Sequence, residues 1–484
     1  MTRGWYIASA KWILLKMEPV SIDEILRWSG GACLRRGTRT TIHAISTDSR
    51  KDCNNALFIP LKGDNFDGHN FINDAVEKGA VACLVEREND LQINFKEVAF
   101  IKVEDTLKAF QKIASGYRSK FNIRAVAVTG SNGKTTTKGF VRAVASSQFV
   151  TKATEGTKNN HIGVPESVLS IDSSTQVGVF ELGMSGFGEI RNLAGIVRPD
   201  VGIITNVCHV HTEFFKSLDE VALAKSELLD ALPANGVVIL NADDAYFDFL
   251  KSRARSKVIS FGIDKPADIG ALDVKQMDDG ICFQVSAFGK TCRCTVVALG
   301  RHNVYNALAA IAAGIEIGIS LDKVCEALST APLPVMRFEV EYIAGFTVVN
   351  DAYNANPASM IASIDSLDAL ELEEEGRKIL VLGDMLELGW YSSEGHRRVG
   401  SRVARSKADS LITVGKLAAE IANTAQKEGF AYPIVMMDTP SDAADYLAEI
   451  TSNNDIVLLK GSRALKLETI IEILKKKRKR RRRK

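Results

Sequence analysis

One stretch, Val126 to Phe140 (VAVTGSNGKTTTKGF), constrains this chain more than any other. An apolar run with β-branched Val126 and Val128 reads as a buried strand. The turn Thr129-Gly130-Ser131-Asn132-Gly133 follows, and a helix opens at Lys134-Thr135. Together, strand, glycine-rich turn and helix start aim backbone N–H groups and the positive end of the helix dipole at one spot. That is an anion site. Lys134 adds a point charge suited to outer phosphates, and the Thr135 hydroxyl is suited to Mg²⁺. The spacing Gly130-x-x-Gly133-Lys134-Thr135 is two residues shorter than the general G-x-x-x-x-G-K-[ST] loop. A glycine turn that holds nothing is the plainer alternative, but the adjoining strand and helix argue for phosphate.

The chain around this loop has 484 residues, enough for about three domains at roughly 150 residues each. Hydrophobic residues at 46% and charged residues at 25% are those of an ordinary globular protein with ample core. The eight cysteines are scattered without a C-x-x-C pair, and Cys292-x-Cys294 reads as part of a strand. Reduced thiols and a cytoplasmic location are expected. The formal net charge of +2 conceals an asymmetry. Residues 475–484 (KKKRKRRRRK) carry ten positive charges, so the rest of the chain stands at −8. Such a run suits RNA or an anionic membrane surface, or it simply extends the last helix into solvent. At the other end, residues 1–16 are apolar and aromatic but interrupted by Lys11. They are too short and too interrupted to span a membrane and are taken as an extension. No other membrane segment is evident.

In chain order, Ser21 to Gly31 (SIDEILRWSGG) reads as a capped helix ended by glycines. The polar clusters Ser46-Thr47-Asp48-Ser49-Arg50 and Gly63 to His69 sit at the ends of apolar strands, where plain turns and ligand loops both occur. Thr106–Tyr117 reads as a helix closing a small α/β N-terminal domain, residues 17–121. A central, mainly parallel-sheet domain (122–332) follows, with strands at 177–183, 201–207 and 237–240 and helices at 218–232 and 303–317. Glu181, Asn206, His209 and His211 fall at carboxyl ends of its strands. Pro332 and Pro334 mark the next boundary. Residues 333–474 alternate again, with strands near 347–353, 378–385, 410–415, 433–438 and 455–461, which predicts a Rossmann-like doubly wound domain. It lacks a G-x-G-x-x-G fingerprint, which argues against a dinucleotide site.

Taken together, GSNGKTTTKG, TKNNHIGVPESVL, ELGMSGFGEI, HTEFFKSLDEVALAKSE, GRHNVYNALAA, MRFEV, NDAYNANPASM, LGDMLELG and LLKGSRALKLE resemble the ATP-dependent Mur ligases of bacterial cell-wall synthesis. The resemblance covers nearly all of residues 19–474. DAYNANP and KGDNFDGHNF are most like the branch that adds D-alanyl-D-alanine to UDP-N-acetylmuramoyl-tripeptide. The DYAHTP-like and DNPR runs of the branch adding the third residue are absent. A ligase adding a single amino acid is the alternative within the family. A non-catalytic nucleotide-binding scaffold, or an RNA-binding protein directed by the tail, is the alternative outside it.

The resemblance implies residue roles. Gly130, Ser131, Asn132, Gly133, Lys134, Thr135 and Thr136 would hold ATP phosphates. Asn303 would contact adenine, with Arg337 and Asp351 near phosphate and ribose. Thr135, Glu181, His211 and Lys225 would hold two Mg²⁺ ions. Lys225, fourteen residues after His211, matches the lysine that the family carbamylates, a change that turns a repelling ammonium into a carboxylate-like ligand. Lys134, Lys225 and His211 would carry the catalysis. Ser46, Asp48, Ser49, Arg50 and Asn160 would hold the UDP-substrate, and Asn354, Asn356, Lys460, Ser462 and Arg463 the dipeptide. His161 and Val210 depart from the usual family residues at their positions. The implied reaction activates a carboxylate as an acyl phosphate, which an amine then attacks. A cytoplasmic monomer with no nucleic-acid partner is expected.

Overall fold

Short polar signals set where the elements begin. Ser21 and Glu24 exchange hydrogen bonds in a capping box before the helix Ile22–Ser29, and Gly30 ends it at φ 70°. Asp105 caps Thr106–Arg118, Ser217 caps Leu218–Asp230, and Asn356 with Pro357 opens Pro357–Ala369. The computed structural model describes residues 15–63, 65–87, 95–210, 212–277, 280–343, 345–372 and 375–481. The chain divides into two units. One comprises Met1–Ala127, Phe149–Gly183 and Arg191–Pro199; the other comprises Val128–Gln148, Met184–Ile190 and Asp200–Lys484.

The first unit holds a six-stranded sheet in the order Leu15–Ser21, Thr41–Ser46, Ala56–Phe58, Ala82–Val85, Ala99–Lys102, Ala32–Arg35. Its inner strands pair in parallel and its two outer strands antiparallel. The first strand begins at Leu15, inside the stretch expected to be an extension. The strands Thr151–Ala153 and Val177–Glu181 also belong to this unit and run parallel.

The strand Arg124–Thr129 is divided between the units. In the second unit the order continues through Val201–Ile204, Val237–Asn241 and Lys257–Gly262, then Ile269–Met277, Gly280–Ala287 and Lys290–Val296. The parallel strands are buried almost throughout, which is why they read as plain apolar runs. The last three strands form antiparallel hairpins, with Gly280–Ala287 mostly buried and its two neighbours more exposed. The sequence reading had placed only Cys292 and Cys294 on a strand here, and both lie on Lys290–Val296.

The last sheet runs Glu339–Ile343, Phe346–Asn350, Ile456–Lys460, Lys378–Gly383, Ser410–Val414, Ile434–Met437, all parallel except the edge strand Glu339–Ile343. Apolar layers cover it on both faces: Met360, Ile364 and Val399 on one, Leu447, Leu467 and Ile470 on the other. Each expected strand of this region is present. Loops at the carboxyl ends of these parallel strands are where an α/β sheet presents functional groups.

Candidate active site

In the second unit the glycine-rich turn has the backbone it was expected to have. Gly130 has φ 144°, and a Cβ there would lie 1.9 Å from Thr205 Oγ1. Gly133 has φ 79°, and a Cβ there would lie 2.2 Å from Asn306 Oδ1. Neither position accepts a side chain without displacing its neighbour. The turn is pinned to the end of the next strand. Ser131 N donates to Asn206 O (2.9 Å), Asn132 N to Asn206 Oδ1 (2.9 Å), and Thr205 Oγ1 to Asn132 O (2.6 Å). Ser131 Oγ also donates to Cys208 O at 3.0 Å. The helix Lys134–Ser146 starts at Gly133 with no side-chain cap, leaving its first N–H groups facing the turn. Lys134 folds back over the turn, its Nζ 2.8 Å from Gly130 O and 3.1 Å from Ser131 O.

A cavity of about 420 Å³ opens beside this turn. Asn132, Gly133, Thr135 and Thr136 line one side, and Asn303, Arg337, Asp351 and Lys460 line it too. Asn303 Nδ2 donates to Leu299 O (2.8 Å), and its Oδ1 accepts from Asn306 (2.9 Å). Arg337 sits over the Tyr353 ring, 4.3 Å from its centre. Asp351 accepts from Lys460 Nζ (2.5 Å) and from Ser363 Oγ (2.6 Å). Burial lowers the Lys460 pKa, with the attraction of Asp351 opposing it. His302, on the same wall, is pushed down to about 4 by burial, against the pull of Asp351 and with Lys460 and Arg337 adding to the fall. Asn356 Nδ2 donates to Asn132 Oδ1 at 2.6 Å, which ties the start of the helix Pro357–Ala369 to the turn.

Lys225 lies on the helix Leu218–Asp230 and is only 2% exposed. Burial drives its pKa well below the usual lysine range, and the positive charge of Lys134 drives it further. Both influences favour the neutral amine over the ammonium. His211 lies outside the described residues, while His209 stacks on Tyr391 with ring centres 4.0 Å apart. Arg463 pairs with Glu468 at 2.6 Å, and Ser462 Oγ accepts from Leu386 N at 2.8 Å.

In the first unit, Asp48 is gripped by Arg50 through two hydrogen bonds of 2.8 and 2.9 Å, and the guanidinium holds its carboxyl below the ordinary range. Ser46 and Asp48 line a small cavity with Lys51 and Glu166. Ser49 O accepts from Lys78 Nζ at 2.7 Å. Asn160 Oδ1 accepts from Ile162 N and Gly163 N at 3.1 and 2.9 Å, fixing the turn before the helix Gly163–Leu169. Glu181 is buried at its strand end and accepts from Asn159 Nδ2 at 2.8 Å.

Residues 41–118 match the Mur ligase family, catalytic domain; residues 128–314 match the Mur ligase middle domain; residues 336–463 match the Mur ligase, glutamate ligase domain. The UDP-N-acetylmuramoyl-tripeptide–D-alanyl-D-alanine ligase of Bacillus subtilis (strain 168) is 38% identical over 437 residues, covering 90% of this chain and 94% of that protein. The chain belongs to the Mur ligase family. The crystal structure of MurF from Acinetobacter baumannii superposes with a TM-score of 0.88 at 29% identity, covering 95% of this chain and 100% of that one. MurF ligase from Thermotoga maritima in complex with ADP gives 0.81 at 27% identity, over 92% and 98% of the two chains.

Within this Mur ligase, Asn132, Gly133, Thr135, Thr136, Asn303, Arg337 and Asp351 of the residues named for nucleotide line one cavity, whereas Gly130, Ser131 and Lys134 are not among its lining residues. Lys460, placed with the dipeptide group from the sequence, lies against Asp351. Asn356 joins the glycine-rich turn, whereas Arg463 pairs with Glu468 and Ser462 is bonded to Leu386, 76 residues away. Asp243, Asp244, His302, Tyr305, Asn306 and Ser363 line the cavity without having been singled out. A signal existed for Asn306 alone, which stands three residues after Asn303 on one helix face. Asp243 accepts from Ile263 N and Tyr305 Oη at 2.7 and 2.9 Å, contacts between residues far apart in sequence. Among the described residues, no group of three or more His, Cys, Asp or Glu side chains is placed to hold a metal ion. A hard cation held by substrate phosphates and one or two oxygens of the protein is compatible with that.

Proposed function

We propose that this Mur ligase joins D-alanyl-D-alanine to UDP-N-acetylmuramoyl-tripeptide, converting ATP to ADP and phosphate. The observation that carries the reading is the cavity that sets a glycine-rich phosphate turn beside Asn303, Arg337 and Asp351. Its size and polar lining suit a nucleotide. The ADP bound by the Thermotoga maritima relative supports the same assignment. The relatives' shared activity, and the DAYNANP run at 351–357, support the dipeptide as second substrate.

The chemistry follows from what carboxylates and amines do. A carboxylate and an amine do not condense at neutral pH, because the oxygen is a poor leaving group. The peptide carboxylate attacks the γ-phosphorus of ATP, ADP leaves, and an acyl phosphate results. The dipeptide amine attacks that carbonyl, loses a proton, and phosphate departs. Lys134 and the N–H groups of the turn lower the repulsion between the two anions in the first step. Thr135, Glu181, His211 and carbamylated Lys225 are the oxygen and nitrogen donors assigned to two Mg²⁺ ions, which supply charge neutralisation when bound. Lys225 suits carbamylation because only a neutral amine adds to CO₂, and burial shifts it toward that form. Asn303, Arg337 and Asp351 orient the nucleotide. Ser46, Asp48, Ser49, Arg50 and Asn160 hold the UDP-substrate on residues 17–121 and the start of 122–332. Asn354, Asn356, Lys460, Ser462 and Arg463 serve the dipeptide on residues 333–474. The enzyme acts as a cytoplasmic monomer.

The test is phosphate release from ATP and Mg²⁺ with UDP-N-acetylmuramoyl-tripeptide, with and without D-alanyl-D-alanine, and the product mass. Release that needs both substrates and yields the pentapeptide nucleotide is the expected outcome. Turnover with a free amino acid in place of the dipeptide would overturn the substrate assignment.

A further inference from the structure

Just past the strand Val201–Ile204, Cys208 braces the glycine-rich turn. Its N–H donates to Ser131 Oγ at 2.9 Å, and that hydroxyl donates back to Cys208 O at 3.0 Å. Asn132 Nδ2 donates to Cys208 Sγ at 3.3 Å. The backbone of the turn therefore depends on where Cys208 stands. What holds Cys208 comes from the last sheet's domain, from the short helical turn Gly389–Tyr391 that leads into the helix Ser392–Val403. The Tyr391 ring stacks on His209, the residue after Cys208, with centres 4.0 Å apart, and Trp390 meets the same imidazole edge-on at 6.0 Å.

A second set of contacts lies a few residues on. Thr212 Oγ1 donates to Leu388 O at 2.6 Å, and Trp390 Nε1 donates to Phe215 O at 2.9 Å. Gly389 has φ 46°, and a Cβ there would lie 2.8 Å from Glu213 Cα, so the two backbones touch where only glycine fits. Trp390 thus engages both His209 and Phe215. It is 59% exposed, so it adds little to the core, yet its indole N–H meets a backbone oxygen 175 residues away. Tyr391 is buried and held in place by Arg398, whose guanidinium donates to its hydroxyl at 2.7 Å.

We propose, resting on the turn's reading as the ATP phosphate site, that Trp390 is a positioning residue. With Gly389 and Tyr391 it clasps residues 208–210 and 212–215, and so keeps Cys208 against the turn. Nucleotide affinity is spread over the whole cavity, whereas attack on the γ-phosphorus depends on the alignment of the turn, so a loosened clasp costs kcat rather than KM. The experiment is steady-state phosphate release by the full chain with ATP, Mg²⁺, UDP-N-acetylmuramoyl-tripeptide and D-alanyl-D-alanine. Beside it, the nucleotide-free protein is alkylated with iodoacetamide and read peptide by peptide. Trp390→Ala loses a hydrogen bond and a ring contact, and kcat is expected to fall about tenfold with the KM for ATP within about twofold. Cys208 is expected to alkylate about tenfold faster in this variant, while exposed Cys33 in the first unit keeps its rate. Trp390→Phe keeps a ring and loses only the N–H, so kcat is expected to fall about threefold. An unchanged kcat or an unchanged Cys208 rate in Trp390→Ala overturns the proposal. A loss carried by KM alone, or faster alkylation of Cys33 as well, marks general loosening and also overturns it. No turnover by the unaltered protein would count against the ligase reading instead, and the Cys208 rates would still decide the clasp.

Discussion

Lys225 and Lys460 are each 2% exposed, and both are lowered by burial, yet their surroundings differ. Lys460 ends a central strand of the last sheet and meets the carboxylate of Asp351 at 2.5 Å, which pulls back toward the charged form. Lys225 sits on a helix beside the glycine-rich turn, where Lys134 repels its charge and adds to the effect of burial. One site keeps an ion pair inside the protein. The other is pushed toward the neutral amine. A buried lysine is thus a structural cation or a reactive base according to the sign of its nearest charged neighbour.

The largest effect that sharpens this contrast is expected at Lys134. Lys134→Ala removes the charge assigned to the outer phosphates, and phosphate release should fall by about 10³-fold or more. It also removes the repulsion on Lys225, so the neutral amine, and with it the CO₂ requirement of activity, should shift to higher pH. Retention of most turnover would sink the role given to the turn.

Next in size is the Asp351–Lys460 pair. Asp351→Asn leaves an ammonium buried without its counter-charge and should cost about 3–5 kcal/mol of stability in urea denaturation. Combining it with Lys460→Met should recover much of that loss. A double variant no more stable than the single one would mean that Lys460 carries no charge for Asp351 to offset, and the contrast would collapse.

Lys225→Ala should reduce turnover about 10²-fold. With ¹³C-labelled bicarbonate, the unaltered protein should show a carbamate resonance that this variant lacks. An unlabelled Lys225 would leave burial without its proposed purpose.

The smallest expected effect concerns His302, between the two regions. Its pKa is lowered to about 4 from 6.5, so below about pH 6.5 the unfolded chain takes up a proton that the folded chain refuses. Stability should therefore fall as pH drops from 6.5 to 4, by on the order of 3 kcal/mol, and be unaffected above that window. His302→Gln should flatten this slope. An equally steep slope in the variant would assign it to other groups.

Much of this molecule was legible along the chain. The glycine-rich turn could be read because its requirements are local: Gly130 and Gly133 adopt positive φ within a few residues of the strand and helix they join. The parallel strands could be read because burial on both faces leaves apolar runs. In the antiparallel segment Ile269–Val296 only Cys292 and Cys294 were read as strand, since exposed residues interrupt the apolar signal in Ile269–Met277 and Lys290–Val296. Lys225 looked like an ordinary helix lysine, because nothing in ALAKSEL reports that its side chain is enclosed.

What the sequence determined by itself is whatever depends on neighbours in the chain: the turn, the caps at Ser21, Ser217 and Asn356, the order of strands and helices, and the motifs that mark a Mur ligase. Tertiary structure alone decided the pairing of Asp351 with Lys460 across 109 residues and of Asn132 with Asn356 across 224. It also decided which of two buried lysines faces a carboxylate and which faces another lysine. Charge state is set by distance and burial in space, and those are sums over the whole fold, which no local stretch of chain contains.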